Sequence, residues 1–146
     1  MIRYVKETSR LTHDEYRALA DFRFQIRGFL HFSEHAARNE GLEPQQHQMM
    51  LAIRGLESDE GPDIAALAEH LLIRHHSAVG LIDRLEKRGL AMRSRRPDDR
   101  RHATVRLTPE GAAILERLAG AHRAELANSA PHLIRALEQA LARCTA

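Results

Sequence analysis

Two groups of side chains in this sequence can do chemistry, and both are built to meet a polyanion. The first is the row Arg74-His75-His76-Ser77, with Arg84 seven residues beyond Ser77 and so on the same face two helical turns on. The second is the cluster Arg95, Arg96, Arg100 and Arg101, split by Pro97-Asp98-Asp99. Imidazole, hydroxyl and guanidinium groups donate to phosphate oxygens and to base edges, and arginine reads guanine with two parallel bonds. Between Arg74 and Arg106 stand ten Lys or Arg against four acids, a local charge of +6 in a chain whose net charge is +2. A basic stretch inside a nearly neutral chain is the electrostatic footprint of a face that binds a polyanion. Asp99 is spaced to hold the Arg101 guanidinium in a bidentate pair, though an ordinary turn residue would read the same way.

The aromatic residues lie elsewhere. Tyr4, Tyr16, Phe22, Phe24, Phe29 and Phe32 are all of them, and every one precedes residue 33. Single-strand binders stack bases on aromatic side chains within their basic groove, so this separation favours a duplex. Catalytic patterns are missing: the sequence contains no G-x-S-x-G, no glycine-rich phosphate loop and no H-E-x-x-H. The reading is therefore a non-enzymatic protein with no cofactor, and the rival is a winged module that binds another protein or a structured RNA. His31 and His35 are four apart and His47 follows, a spacing able to share a metal, but with no supporting carboxylate or thiol cluster the pair reads as interfacial polar residues. Cys144 is the sole cysteine and reads as an incidental thiol.

The elements that must position these groups can be read in order. Thr12 with Glu15 three residues on is a capping box, and it opens a helix over 13–38 with apolar Leu19, Phe22, Ile26, Phe29 and Leu30. Phe24 and Phe32 widen that stripe, so the helix buries more than one face and calls for a partner chain. Asn39-Glu40-Gly41 ends it, Pro44 starts a second helix and Gly55 closes that one. Asp63 caps a third helix with Ile64, Leu67, Ala68 and Leu71 inward. A break at 73–75 leads into a fourth, with Val79, Ile82 and Leu85 inward, His76, Ser77, Gly80, Arg84 and Lys87 outward, and Gly89 as the stop. Two short helices with a tight break, the second outwardly polar, make a helix-turn-helix. Segments 90–95 and 102–107 read as two strands around a turn rich in Pro and Asp, a hairpin with a basic tip. Thr108-Pro109 opens a fifth helix, and Ser129-Ala130-Pro131 is expected to break it from a sixth that carries Leu133, Ile134, Leu137 and Leu141.

HHSAVGLIDRLEKRGL followed by RRPDDRRHATVRLTPEG resembles the multiple-antibiotic-resistance regulator (MarR) family, in its recognition helix, its L-E-x-x-G-L exit and its wing pattern D-x-R ending in L-T-x-x-G. The resemblance implies a mainly α (α+β) fold of six helices with a winged helix-turn-helix and a two-stranded hairpin wing. It makes 1–146 a single unit, with 1–40 and 109–146 as dimerisation helices and 44–108 as the DNA-binding lobe. It implies Asp99 and Arg101 as the wing pair and Gly111 in the first turn after the wing. It further implies an obligate homodimer on a pseudo-palindromic operator, often a repressor relieved by a small phenolic or aromatic effector. By position the effector candidates are Phe22, Ile26, Phe29, His47, Met50 and Met92, each of which also reads as core.

Length and composition agree with one modest unit. A chain of 146 residues with 43% hydrophobic and 29% charged residues is long enough for one core. No apolar run approaches the roughly 20 residues of a membrane span, and the N-terminal residues do not read as a secretory signal, so the expected setting is the cytoplasm, with no membrane partner.

Overall fold

The computed structural model describes residues 10–95 and 102–144. Its elements run α1 (His13–Asn39), α2 (Pro44–Gly55), α3 (Ile64–Leu71), α4 (His75–Lys87), β1 (Ala91–Arg95), β2 (Ala103–Leu107) and α5 (Pro109–Cys144). The expected capping box is formed: the Thr12 amide donates to Glu15 Oε2 at 2.5 Å, and the Glu15 amide to Thr12 Oγ1 at 3.3 Å. Gly41 and Gly89 take positive φ of 75° and 69°, the left-handed turn that lets the chain leave α1 and α4.

One expectation fails. There are five helices among the described residues, not six, because α5 runs through Pro131 without a break. Proline removes the donor that would reach the Ala127 carbonyl. Both residues are exposed, so that carbonyl is left to water rather than orphaned in the interior. The helix goes on because Leu133 half-buries and Ala136 and Ala140 bury at helical spacing beyond the proline.

The chain divides into two compact units, residues 1–31 with 124–146, and residues 32–123. In the first, Ala18, Ala136 and Ala140 are buried. In the second, the core is Leu42, Met49, Met50, Ile53, Leu67, Ile82, Leu85, Leu90, Val105 and Leu118 with small alanines between them. Helices α2, α3 and α4 pack on one another. The inward stripe of α4 is Ala78, Leu81, Ile82 and Leu85, the i, i+3, i+4, i+7 pattern, and Val79 lies at its flank rather than within it.

Strands β1 and β2 pair antiparallel with Ala91 opposite Leu107 and Arg95 opposite Ala103. The hairpin does not stand alone. Asp63 bridges to Thr104, and the Val105 amide donates to the Pro62 carbonyl at 2.9 Å, so the residues that cap α3 also form a third, one-residue rung of the sheet. That rung buries Pro62 and Val105 and ties the wing to the helix-turn-helix.

Candidate nucleic-acid interface

Helix α4 begins with Arg74 as N-cap, in extended conformation with no side-chain cap. Three other helices start differently: Asp63 Oδ1 accepts from the Ala66 amide at 2.7 Å, Thr108 Oγ1 from the Gly111 amide at 3.1 Å, and Thr12 caps α1 as described. A missing cap costs about 1 kcal/mol. It also leaves the leading N–H groups of α4 aimed outward at the positive end of the helix dipole, where an anion is favoured. Arg74, His75, His76 and Ser77 are all exposed around this end, and Arg84 is exposed two turns along.

The two histidines face different neighbours. His75 borders a depression of about 240 Å³ with Asp63, Ile64 and Ala65 from the start of α3 and His102 and Ala103 from the wing. His76 lines a second recess, of about 320 Å³, with Ile73, Ser77, Gly80, Leu81 and Arg84, closed on one side by Gln45 from the first turn of α2. Gln45 was not foreseen, since nothing in Pro44-Gln45-Gln46 marks it and only the packing of α2 against α4 brings it to this face.

The basic residues divide by their partners. Arg88 donates to the Gly41 carbonyl at 2.7 Å and to Gln46 Oε1 at 3.2 Å, holding the end of α4 to the α1–α2 turn. Arg93 pairs with Asp83 and places Nε 3.0 Å from Glu86 Oε1, joining β1 to α4. Arg106 reaches Glu57 Oε1 at 3.2 Å and the carbonyls of Ser58 and Asp59, fastening the α2–α3 loop to β2. These three guanidinium groups are committed to structure. Among the described residues Arg74, Arg84, Lys87 and Arg95 are exposed and form no ion pair or hydrogen bond of this kind. Arg96, Asp99, Arg100 and Arg101 lie outside the described residues.

The effector candidates fall in both units. Phe22, Ile26 and Phe29 are half-buried on α1 in the first. In the second, His47 and Met50 are buried and Met92 is exposed on β1. His47 is 4% exposed and stacks on His122 with ring centroids 4.9 Å apart. Burial, and then the charge of His122, push the His47 imidazole below its usual range. His122 donates from Nδ1 to the Leu118 carbonyl at 2.6 Å, and its Nε2 lies 2.8 Å from Ser33 Oγ. His31 and His35 are exposed, and among the described residues no group of three or more His, Cys, Asp or Glu is placed to hold a metal ion. No helix among those residues is long and apolar enough to cross a membrane.

Three helices, a tight turn and a two-stranded wing tied back to the third helix define a winged helix-turn-helix. Residues 40–102 match the model of the MarR family. The chain is 31% identical over 96 residues to a protein assigned to transcriptional regulation of the hcr operon in Thauera aromatica, 66% of this chain and 56% of that protein, so the match spans little more than half of the relative's length. Among solved structures it is similar to AbsC, a MarR family transcriptional regulator from Streptomyces coelicolor, at 23% identity and TM-score 0.72, covering 84% of this chain and 82% of that one. It is also similar to CouR from Rhodococcus jostii RHA1 bound to p-coumaroyl-CoA, at 21% identity and TM-score 0.67, covering 90% and 96%. At these identities the structures establish the fold.

Proposed function

We propose that this protein is a non-enzymatic, cytoplasmic transcription regulator that binds duplex DNA sequence-specifically as a homodimer on a pseudo-palindromic operator, acting as a repressor released by a small aromatic or phenolic effector. The observation that carries the reading is the start of α4. It is uncapped, surrounded by exposed Arg74, His75, His76 and Ser77, and backed by Arg84, while the arginines behind it are tied into the fold. A helix of this width fits the major groove, and its N-terminal donors reach phosphates and base edges. The wing arginines Arg95, Arg96, Arg100 and Arg101, with Asp99 beside them, are assigned to the adjacent minor groove, whose negative potential attracts guanidinium groups.

The dimer reading, with 1–40 and 109–146 as dimerisation helices and 44–108 as the DNA-binding lobe, is supported by apolar side chains left in the open. Leu19, Phe24 and Leu30 on α1 and Ile134, Leu137 and Leu141 on α5 are exposed, Phe24 at 68% and Leu141 at 57%. The effector reading starts from Phe22, Ile26, Phe29, His47, Met50 and Met92. It draws support from the p-coumaroyl-CoA held by CouR, so aromatic carboxylates and their CoA thioesters are the compounds to try first.

The deciding test is a gel-shift titration on duplex DNA from the protein's own upstream region against a random duplex, at several salt concentrations. Tight, selective binding that weakens with a steep log–log salt slope is expected, and addition of an effector should release it. Equal weak binding to both duplexes would overturn the reading in favour of a protein or RNA partner.

A further inference from the structure

The middle of α4 holds a residue that works against its own helix. Gly80 is the sixth of thirteen residues in α4, and glycine in a helix interior is the poorest choice after proline. Neither packing nor backbone geometry asks for it. A Cβ built on Gly80 would meet nothing within 4 Å, and positive φ among the described residues is confined to Gly41, Gly61, Leu72 and Gly89. Gly111 makes the contrast, because a Cβ there would collide with the Leu90 carbonyl oxygen.

Gly80 lies where the helix should be read from outside. It lines the 320 Å³ recess with Ile73 and Leu81, and His76, Ser77, Arg84 and Gln45 supply its polar groups. A side chain at position 80 would fill this space from below. The one apolar group that base pairs present in the major groove is the thymine C5-methyl, and beside it stands O4, an acceptor. A recess that sets Ile73 and Leu81 beside several donors complements that pair of groups.

Resting on the duplex-DNA reading above, we propose that Gly80 is a specificity-determining residue: it keeps the floor of the recess at backbone level so that a thymine methyl enters, with O4 of the same base accepting from His76, Ser77 or the Gln45 amide. A longer side chain here, alanine included, lifts the helix off that base.

The test is selection of binding sites from randomised duplex DNA with the wild-type protein and with Gly80→Ala, followed by titration of the selected duplex with single thymines replaced by deoxyuridine, which removes only the methyl. For the wild type, a single such replacement should weaken binding roughly fourfold, the value of one buried methyl-sized group, and one in each half-site roughly sixteenfold. Gly80→Ala should melt at higher temperature, bind the wild-type duplex more weakly and lose sensitivity to that methyl. The proposal is overturned if every thymine tolerates replacement, or if Gly80→Ala selects the same sequence and keeps the same methyl dependence. If the wild type enriches no sequence at all, the duplex-DNA reading falls, and this assignment falls with it.

Discussion

At the residue scale, the seam where the wing meets α5 shows why particular side chains stand where they do. Thr108 closes it with three bonds: its amide donates to the Leu90 carbonyl at 3.1 Å, its hydroxyl donates to the Gly89 carbonyl at 2.6 Å, and its Oγ1 accepts from the Gly111 amide. The Leu90 carbonyl is thereby pressed against the first turn of α5, and only a residue without a Cβ fits opposite it. Gly111→Ala is expected to reach the upper end of the 1–3 kcal/mol, roughly, that overpacking costs, because the atom in the way is backbone. Urea denaturation measures it, and an unchanged midpoint would mean the turn can shift freely. His47 gives a second expectation. Its folded pKa is lowered, so the unfolded chain binds more protons in acid, and stability from the neutral imidazole is whole above about 6.5. It drains as pH falls from there toward the folded value. Denaturation at pH 7.5 and 5.5 should show that loss, and His47→Gln should reduce it; a slope of wild-type size in the variant would assign the titration to another group.

At the element scale, α5 is a long helix with a flaw in it. A proline in a helix interior costs about 3 kcal/mol relative to alanine, partly relieved here because Ala127 and Pro131 face solvent. Ser129 adds to the local irregularity by donating its hydroxyl to the Glu125 carbonyl at 3.0 Å. Pro131→Ala should therefore stabilise the protein by about 1–3 kcal/mol, read as a raised thermal midpoint. A lowered midpoint would mean that the flaw is needed for how α5 packs. The expected break at 129–131 rested on a sound local rule. It failed because burial of Ala136 and Ala140 further on favours continuing the helix. Helix boundaries set by local chemistry fared better: Thr12, Asp63, Thr108, Gly41 and Gly89 all act as their residue types indicate.

At the scale of the whole molecule, the exposed leucines and phenylalanine on α1 and α5 carry the expectation of a homodimer. Phe24→Glu with Leu137→Glu should convert a dimer into a monomer in analytical ultracentrifugation and lower operator affinity by at least tenfold, since one half-site is lost from a two-site grip. A wild-type protein that sediments as a monomer at micromolar concentration would sink the idea.

By itself the sequence determined the helix-turn-helix, the hairpin and the caps, because turn chemistry and apolar period act over a few residues. It also located the basic stretch from Arg74 to Arg106. It did not distinguish, within the run from Arg74 to Arg106, the guanidinium groups that point outward from those that hold the lobe together. Arg88 finds its acceptors 47 and 42 residues away, and Arg106 finds Glu57 49 residues away, distances along the chain that no spacing rule spans. Gln45 reached the recess beside His76 and Arg84 the same way, carried there by the packing of α2 on α4. Local pattern chose the elements, and tertiary packing decided which side chains the fold consumes and which it leaves to a partner, because that choice depends on contacts between residues far apart in sequence.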